Sequence, residues 1–267
     1  MGNKRNPLKA TPDKFDLYQR SVQIEEGAAF LSHRFRLLTG RPLRYLREDF
    51  CGTAFNCCQF VKLHQKNRAI GVDLDESALR WCQSHNFSRL NESRWERITL
   101  IKGNVLTVET PRVEMIAALN HSYAILKKRS DLLAYFTNAR KSLVKSGVML
   151  LDHLGGAELL TGCIRKRRVD DFIYISEWSA VDPITHDLTI KISYSIKGRP
   201  LMRNVFVYGF RLWSLPELQE ILAEAGFRNV NVVWECRFSN DVVTFRKAAH
   251  GYAYNPQDWY AIVVGQA

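Results

Sequence analysis

Residues 48–54, with the sequence Glu-Asp-Phe-Cys-Gly-Thr-Ala, combine acidic and small residues in a way that indicates ligand binding. The segment follows a short apolar run and precedes a helical pattern. A turn of small residues at that place lets backbone N–H groups approach a ligand, with the positive end of the helix dipole behind them. Glu48 would repel a phosphate and attract an ammonium group. The segment therefore predicts a site for a cationic ligand.

A second carboxylate strengthens this prediction. Asp73 ends the next apolar run, where a carboxylate can accept two hydrogen bonds from a ribose diol. Residues 48–54 contain neither a GxGxxG pattern nor a P-loop lysine, so a pyrophosphate or triphosphate ligand is less favoured. Together, the two carboxylates favour S-adenosylmethionine over NAD. A tight turn with a capping carboxylate that binds no ligand remains the alternative.

The elements that must position these residues follow an alternating pattern. Apolar runs of strand length alternate with amphipathic stretches of helical spacing between residues 43 and 153. This alternation predicts an α/β fold with a parallel sheet covered by helices on both faces. After residue 170, long strand patterns with short turns predict an antiparallel insertion. The expected organisation is a helical cap at 1–42, a main domain at 43–267, an insertion at about 170–212 and a lid loop at 236–258.

Residues 48–54 also resemble the first motif of the class I S-adenosylmethionine-dependent methyltransferases, acidic-x-x-Cys-Gly-Thr-Gly, with Ala54 replacing the last glycine. The resemblance covers about residues 45–154 and resumes at 212. More narrowly, residues 16–23 and 47–54 are similar to a bacterial subgroup with an Arg-Glu-Asp-Phe-Cys-Gly-Thr first motif and no settled substrate. The resemblance to the methyltransferase family implies a Rossmann-like, seven-stranded, mostly parallel sheet with an antiparallel β insertion between strands five and six.

The family resemblance implies a set of cofactor-binding residues. Glu48 and the backbone of residues 51–53 would hold the methionine portion of S-adenosylmethionine, and Asp73 the ribose. Asn104, which replaces the family's aspartate, would hold the adenine edge together with the next backbone amide. The predicted cofactor-binding residues are Tyr18, Arg47, Glu48, Cys51, Gly52, Thr53, Asp73, Leu74, Asn104, Val105 and Asn120.

Several residues near the first turn have open alternatives or conditions. Arg47 could pair with the cofactor's carboxylate, or could form a surface ion pair. Tyr18, Arg20 and Gln23 lie on an N-terminal helix, which in similar enzymes folds over the cofactor. A surface ion pair is an equal alternative for Arg20. Ala54 costs little in place of glycine only if its φ is negative.

The candidate catalytic residues are His121 and Tyr123, in the segment after predicted strand four that faces the methyl group in the family. Histidine titrates in the range that suits a general base for an amine or hydroxyl acceptor. His121 could instead be a structural residue at a helix start, and Tyr123 could line the pocket or pack beneath the helix. His153 is expected to be a wall residue. Trp178, Trp213 and Trp234 are expected in the core, with an aromatic cage as the alternative.

Composition limits the remaining interpretations. The chain has 267 residues and a net charge of +11, with no spanning apolar run and no apolar leader, which predicts a cytoplasmic protein without a membrane partner. Its six cysteines have no zinc-ligand spacing and are expected to be reduced thiols. The expected function is methyl transfer from S-adenosylmethionine to an oxygen or nitrogen of a small molecule, by a monomer or homodimer.

Two other functions remain open. The net charge of +11 and the basic cluster at residues 165–168 suggest an RNA methyltransferase, although nucleic acid is the less favoured partner because no RNA-binding module or base-amine motif is recognised. The changes at Ala54 and Asn104 suggest a non-catalytic subunit that binds S-adenosylmethionine.

Overall fold

The computed structural model describes residues 12–22, 27–238, 242–247, 257 and 259–267, with the backbone alone for 234–238 and 242–247. The described strands are β1 Tyr45–Asp49, β2 Arg68–Asp73, β3 Ile98–Lys102, β4 Val113–Ala118, β5 Leu143–Gly155, β6 Cys163–Val169, β7 Phe172–Trp178, β8 Asp187–Ile196, β9 Met202–Arg211, β10 Arg228–Phe238, β11 Val242–Lys247 and β12 Trp259–Gln266. The described α-helices are α1 Lys14–Val22, α2 Gly27–Thr39, α3 Phe55–Leu63, α4 Glu76–Trp81, α5 Glu92–Trp95, α6 Arg129–Lys141, α7 Ala157–Thr161 and α8 Leu215–Glu224.

The main sheet has the strand order β11-β10-β12-β5-β4-β1-β2-β3. Strands β1 to β5 are parallel to one another, and β12 is antiparallel to both of its neighbours, β5 and β10. Seven strands, from β3 to β10, therefore form the mostly parallel Rossmann-like sheet that the sequence predicts. The eighth strand, β11, is antiparallel to β10 and extends the edge.

The predicted lid loop at 236–258 contains regular structure where it is described. β10 runs to Phe238 and β11 spans Val242–Lys247, so these segments are strands rather than the expected loop. Residues 239–241, 248–256 and 258 lie outside the described part of the chain. A lid role for this segment stays a prediction.

Helices cover both faces of the sheet, which explains why its strands are nearly continuous apolar runs. On one face, α2, α3 and α4 bury residues such as Leu31, Phe60 and Leu79 against the strands. On the other face, α6 and α8 bury Phe136 and Leu222 in a core shared with the insertion. Each such side chain contributes about 1.5–3 kcal/mol when it is fully buried. Among the described helices, none is long and apolar enough to cross a membrane.

The insertion is a separate antiparallel sheet with the order β6-β7-β8-β9. Along β8, alternate residues such as Leu188, Ile190 and Ile192 are buried, as the two-residue period of a strand requires. The sheet begins at Cys163 rather than at about residue 170, because β6 is an additional strand. Its sequence, Cys-Ile-Arg-Lys-Arg-Arg-Val, has charged residues on both faces and so lacks the apolar alternation that reveals a strand.

Candidate functional site

A cavity of about 380 Å³ lies between the carboxyl ends of the parallel strands, helix α1 and the buried face of the small sheet. Ligands bind at this edge in open α/β sheets, and small-molecule pockets have roughly this size. The main sheet and its turns contribute Glu48, Phe50, Cys51, Gly52, Thr53, Asp73, Asp75, Leu119, Asn120, His121 and Ser122. The small sheet contributes Tyr174, Trp178, Ile190, Ile192, Phe206, Tyr208 and Phe210.

The turn after β1 has an unusual backbone. Phe50, Gly52 and Ala54 have φ angles of 56°, 52° and 48°, all in the left-handed region. A Cβ built on Gly52 meets no atom within 4 Å, so this part of the turn is open to the cavity. Ala54 is fully buried and does not meet the condition of a negative φ. Replacing the family's glycine with Ala54 therefore places about 1–2 kcal/mol of backbone strain in the turn.

Asp73 joins the end of β2 to this turn. One carboxylate oxygen accepts a hydrogen bond from the Gly52 amide at 2.6 Å, and the other accepts one from the Asp75 amide at 2.8 Å. Burial raises the pKa of Asp73 despite these hydrogen bonds. A carboxylate oxygen can accept more than one hydrogen bond, so Asp73 retains capacity for a ligand diol in the cavity.

Glu48 is a buried carboxyl group in the cavity wall. Its Oε1 accepts a hydrogen bond from Asn56 Nδ2 at 2.7 Å, and its Oε2 accepts one from the Cys57 thiol at 3.4 Å. Burial raises the pKa of Glu48 to about 7, although both hydrogen bonds act in the opposite direction. A ligand cation nearby would favour the ionised form and offset this desolvation.

A buried polar network fixes α1 across the turn. Gln19 Oε1 accepts hydrogen bonds from Thr53 Oγ1 at 2.7 Å and from Asn86 Nδ2 at 2.9 Å. It thereby directs the neighbouring Tyr18 into the cavity wall, with its ring 4.9 Å from that of Phe206. Burial is the main cause that raises the pKa of Tyr18, and the nearby Tyr208 raises it further. Sequence reasoning chose Gln23, which lies outside the described residues, and missed Gln19, because nothing in the sequence indicated a polar contact with the turn.

The turn after β4 presents His121 to the cavity. Asn120 and His121 are both left-handed, each with a φ of 56°. Their amides donate to the two carboxylate oxygens of Asp152 on β5, each at 2.8 Å. His121 Nδ1 lies 3.3 Å from the Asp152 carbonyl oxygen and 3.5 Å from its Oδ1. The Tyr260 hydroxyl also donates to this carboxylate.

The structure separates Tyr123 and His153 from this cavity. Tyr123 is fully buried, and its hydroxyl is 2.7 Å from His153 Nδ1. Burial and the charge of His121 lower the pKa of His153 to about 3, so His153 is neutral near neutral pH. Neither residue is in the described cavity wall, so this geometry does not support a catalytic Tyr123 or a wall residue at His153, and both roles stay predictions. The sequence prediction included His153 but not its neighbour Asp152, whose side chain lies on the opposite face of the sheet.

Arg47 forms a buried ion pair within β1. It is fully buried and donates to Asp49 through Nε at 2.6 Å and Nη2 at 3.1 Å. Its Nη1 donates to Thr110 Oγ1 at 3.2 Å, and the Tyr135 hydroxyl completes the contacts of Asp49. The ion pair is therefore buried rather than on the surface, and a role for Arg47 toward the cofactor stays a prediction. Alternate residues of a strand face the same side of the sheet, and this pairs Arg47 with Asp49.

The residues predicted to hold adenine are not in the described cavity wall. Asn104 is exposed, and its side chain accepts a hydrogen bond from the Leu106 amide at 3.0 Å. Val105 is buried in the core, whereas Leu74 is 65% exposed. Their roles toward a cofactor stay predictions. The wall does include the predicted residues Tyr18, Glu48, Cys51, Gly52, Thr53, Asp73, Asn120 and His121.

Much of the basic cluster on β6 is engaged within the protein. Arg165 pairs with Glu158 at 2.6 Å and lies 5.8 Å from the Trp178 ring centroid. Arg167 donates to the Ser21 carbonyl and lies over Tyr174. These contacts hold β6 against α1 and behind two aromatic residues of the cavity.

The other residues singled out in the sequence divide between structural and cavity positions. Arg20 pairs with Asp170 and Asp171 in the turn after β6, at 2.9 and 2.5 Å, in agreement with its ion-pair alternative. Trp213 is in the core as predicted, whereas Trp178 lines the cavity. The side chain of Trp234 lies outside the described part of the chain.

Comparisons with known proteins agree on the fold. No protein-family model matches the sequence, and no curated protein matches it either. An S-adenosylmethionine-dependent methyltransferase from Clostridium acetobutylicum superposes with a TM-score of 0.69 at 14% identity, covering 94% of this chain and 96% of that one. DesVI from Streptomyces venezuelae gives 0.69 at 17% identity, covering 96% and 99%. The sugar N-methyltransferase KedS8 from Streptoalloteichus gives 0.64 at 14%, covering 100% and 97%. The chain therefore has the fold of the class I S-adenosylmethionine-dependent methyltransferases.

Proposed function

We propose that this protein transfers a methyl group from S-adenosylmethionine to a nitrogen or oxygen of a small molecule. The observation that carries the proposal is that one cavity is bounded by the open Gly52 turn with Asp73 on one side and by His121 on the other. The Gly52 turn and Asp73 suit a nucleoside, and His121 suits proton transfer. The fold of the methyltransferases to which the chain is similar supports the same conclusion.

The residues of the first turn fit the cofactor. Gly52 leaves space where any other residue would place a Cβ, so a ligand can approach the backbone. Asp73 can accept hydrogen bonds from a ribose diol, and Glu48 gives the wall a carboxyl group that a cation would ionise. When bound, S-adenosylmethionine supplies a methyl group on a positively charged sulfur that a nucleophile can attack.

The remaining residues handle the acceptor. His121 can take the proton that an amine or hydroxyl loses as it is methylated, a contribution typically worth about 10²–10⁴ in rate. The small sheet contributes Tyr174, Trp178 and Tyr208 to the cavity wall. These aromatic residues favour an acceptor with apolar surface. Alignment of the acceptor with the methyl group would supply much of the remaining rate enhancement.

A small acceptor is favoured by the size of the cavity and by the similar proteins. A cavity of about 380 Å³ has the size of a typical small-molecule site. Among the similar structures are an amino pentose methyltransferase and a sugar N-methyltransferase. RNA methylation is the weaker alternative, because Arg165 and Arg167 of the basic cluster already contact Glu158 and Ser21.

Calorimetric titration with S-adenosylmethionine and S-adenosylhomocysteine tests the proposal. Asp73→Ala should weaken binding by about 100-fold, near 3 kcal/mol, because it removes charged hydrogen bonds to a ligand diol. Glu109→Ala, which removes an exposed carboxylate outside the cavity wall, is the matched control and should bind like the wild type. Circular dichroism would verify that both variants are folded. If the folded wild-type protein binds neither ligand, the proposal is wrong.

A further inference from the structure

We infer that Asp152 is a positioning residue that holds His121 in the cavity wall with its Nε2 unprotonated and available to the methyl acceptor. The effect on catalysis rests on the proposed function. The arrangement itself rests on the contacts of Asp152, His121 and the turn between them, and it can be tested without an acceptor.

The backbone of the turn provides the first argument. Asn120 and His121 are consecutive non-glycine residues in the left-handed region, a conformation that persists only where other contacts enforce it. In this conformation, both amides converge on Asp152, each 2.8 Å from a different carboxylate oxygen. Successive N–H groups of this kind form a concave site for an anion, and Asp152 is the anion here.

The surroundings of the carboxylate provide the second argument. Asp152 is 4% exposed, and its carboxylate contacts the two amides, the Tyr260 hydroxyl and the His121 ring. The Tyr260 ring also packs edge-on against His121, with 5.4 Å between ring centroids. Other titratable groups nearby are His153 on the same strand, which is buried and neutral, and the hydroxyls of Tyr18 and Tyr123. The pKa values of both tyrosines are raised, mainly by burial and further by the Asp152 charge. In the described part of the chain, no lysine or arginine pairs with Asp152, so its charge acts on His121.

These contacts determine which nitrogen of His121 faces the ligand. Nδ1 is 3.3 Å from the Asp152 carbonyl oxygen and 3.5 Å from its Oδ1, and both of these atoms are acceptors. Nδ1 therefore carries the proton, and Nε2 carries the lone pair. As the bond from the acceptor atom to the methyl carbon forms and the carbon–sulfur bond breaks, the acceptor's proton moves to Nε2. The resulting imidazolium ion is stabilised by the Asp152 charge.

This assignment narrows the acceptor to molecules with a proton to lose at the methylated atom. A neutral amine nitrogen or a hydroxyl can donate a hydrogen bond to Nε2 and then release its proton there. A thioether, a tertiary amine or a ring nitrogen without hydrogen would not use this base. The acceptor class is therefore a primary or secondary amine, or an alcohol or phenol.

The test is Asp152→Asn, read by ¹⁵N NMR of the histidine side chains at a pH where His121 is neutral. An asparagine of the same shape has one accepting oxygen, so its NH₂ group must face one of the two donating amides or the imidazole. We expect wild-type His121 to be the Nδ1–H tautomer, with low-field amide protons at Asn120 and His121. In Asp152→Asn, we expect the Nε2–H tautomer to become populated and at least one of these amide protons to move upfield.

The kinetic readout separates positioning from binding. Asp152→Asn should lower kcat by about 100-fold while the Kd for S-adenosylmethionine changes by less than about threefold. Asp182→Asn is the matched control, because Asp182 also accepts hydrogen bonds from two amides of a turn but is exposed and lies outside the cavity wall. It should preserve both the His121 tautomer and kcat.

Each outcome decides the inference. An Nε2–H tautomer in the wild-type protein overturns it even if Asp152→Asn fails to fold. An unchanged tautomer and unchanged amide shifts in a folded Asp152→Asn variant also overturn it. If wild-type protein methylates none of the amines or alcohols supplied, the proposed function fails, whereas the tautomer measurement still decides the role of Asp152.

Discussion

The turns after β1 and β4 are built alike but used differently. In each, left-handed residues follow a parallel strand, and an aspartate from a neighbouring strand accepts hydrogen bonds from the turn's amides. Asp73 accepts a single hydrogen bond from the first turn, donated by the Gly52 amide, and the surface above Gly52 is open. Asp152 accepts two hydrogen bonds from the second turn, donated by the amides of Asn120 and His121. These amides are therefore not available to a ligand.

The difference separates a binding surface from a support for a side chain. An open turn exposes backbone and a carboxylate to a ligand, and a missing Cβ is what makes it accessible. A closed turn has its amides satisfied internally, so its function passes to the side chain it presents, here His121. Four substitutions test this comparison. Three change the open turn, through the ion pair behind it, its buried carboxyl group or its exposed backbone, and the fourth changes a residue outside it.

Removing the ion pair behind the open turn should have the largest effect. Arg47→Met leaves Asp49 buried with only the Tyr135 hydroxyl among its described side-chain partners, which should lower the free energy of unfolding by about 3–5 kcal/mol. Denaturant titration measures this loss. The affinity of the folded protein for S-adenosylmethionine should change by less than about threefold, because Arg47 does not line the cavity.

A double variant separates the structural role of Arg47 from a binding role. Arg47→Met with Asp49→Leu removes both charges and should recover much of the lost stability. If Arg47→Met instead unfolds like the wild type but binds S-adenosylmethionine about tenfold more weakly, the sequence prediction that Arg47 holds the cofactor is correct.

Glu48 should make the stability of the ligand-free protein depend on pH. Its folded-state pKa of about 7 lies above the ordinary value of 4.5, so folding favours the protonated carboxyl. The stability that this provides is fully present below pH 4.5 and is lost as the pH rises through 7, for a total of about 3 kcal/mol. Glu48→Gln stays neutral, and so should gain stability relative to the wild type between pH 5 and pH 8.

The difference between the two proteins, measured by denaturant unfolding at several pH values, isolates Glu48 from other groups such as Asp73. Saturating S-adenosylmethionine should reverse the trend in the wild type, because a nearby cation favours the ionised carboxylate. A difference that does not vary with pH would show that Glu48 is already ionised in the ligand-free turn.

Filling the open surface should weaken ligand binding. Gly52→Ala places a methyl group where the cavity has no atom within 4 Å, and should raise the Kd for S-adenosylmethionine by about 10- to 100-fold. Gly198→Ala is a matched control, because Gly198 also has a positive φ and open space around its Cβ position, but lies in the turn between β8 and β9. Both variants should lose about 1–2 kcal/mol of stability through backbone strain, and only Gly52→Ala should lose affinity.

The same contrast explains what the sequence could predict. Apolar runs gave the parallel strands, and the first turn was recognisable because Gly52 and Asp73 have characteristic residue types at characteristic places. The role of Asp152 was not recognisable, because it depends on the pairing of β4 with β5 and on which face of β5 each residue occupies. The buried ion pair of Arg47 and the strand β6 were not predicted for a related reason, since charged residues on a strand indicate exposure unless the paired partner is known.

Changing Asn104 should have the smallest effect. Its side chain is exposed and already accepts the Leu106 amide, and it is not in the described cavity wall. Asn104→Ala should therefore change the Kd for S-adenosylmethionine by less than about threefold in a calorimetric titration, against about 100-fold for Asp73→Ala. A tenfold loss in Asn104→Ala would mean that the bound ligand extends beyond the cavity to the turn after β3. The binding surface would then comprise the turns after three adjacent strands, and the contrast between one open and one closed turn would be too simple.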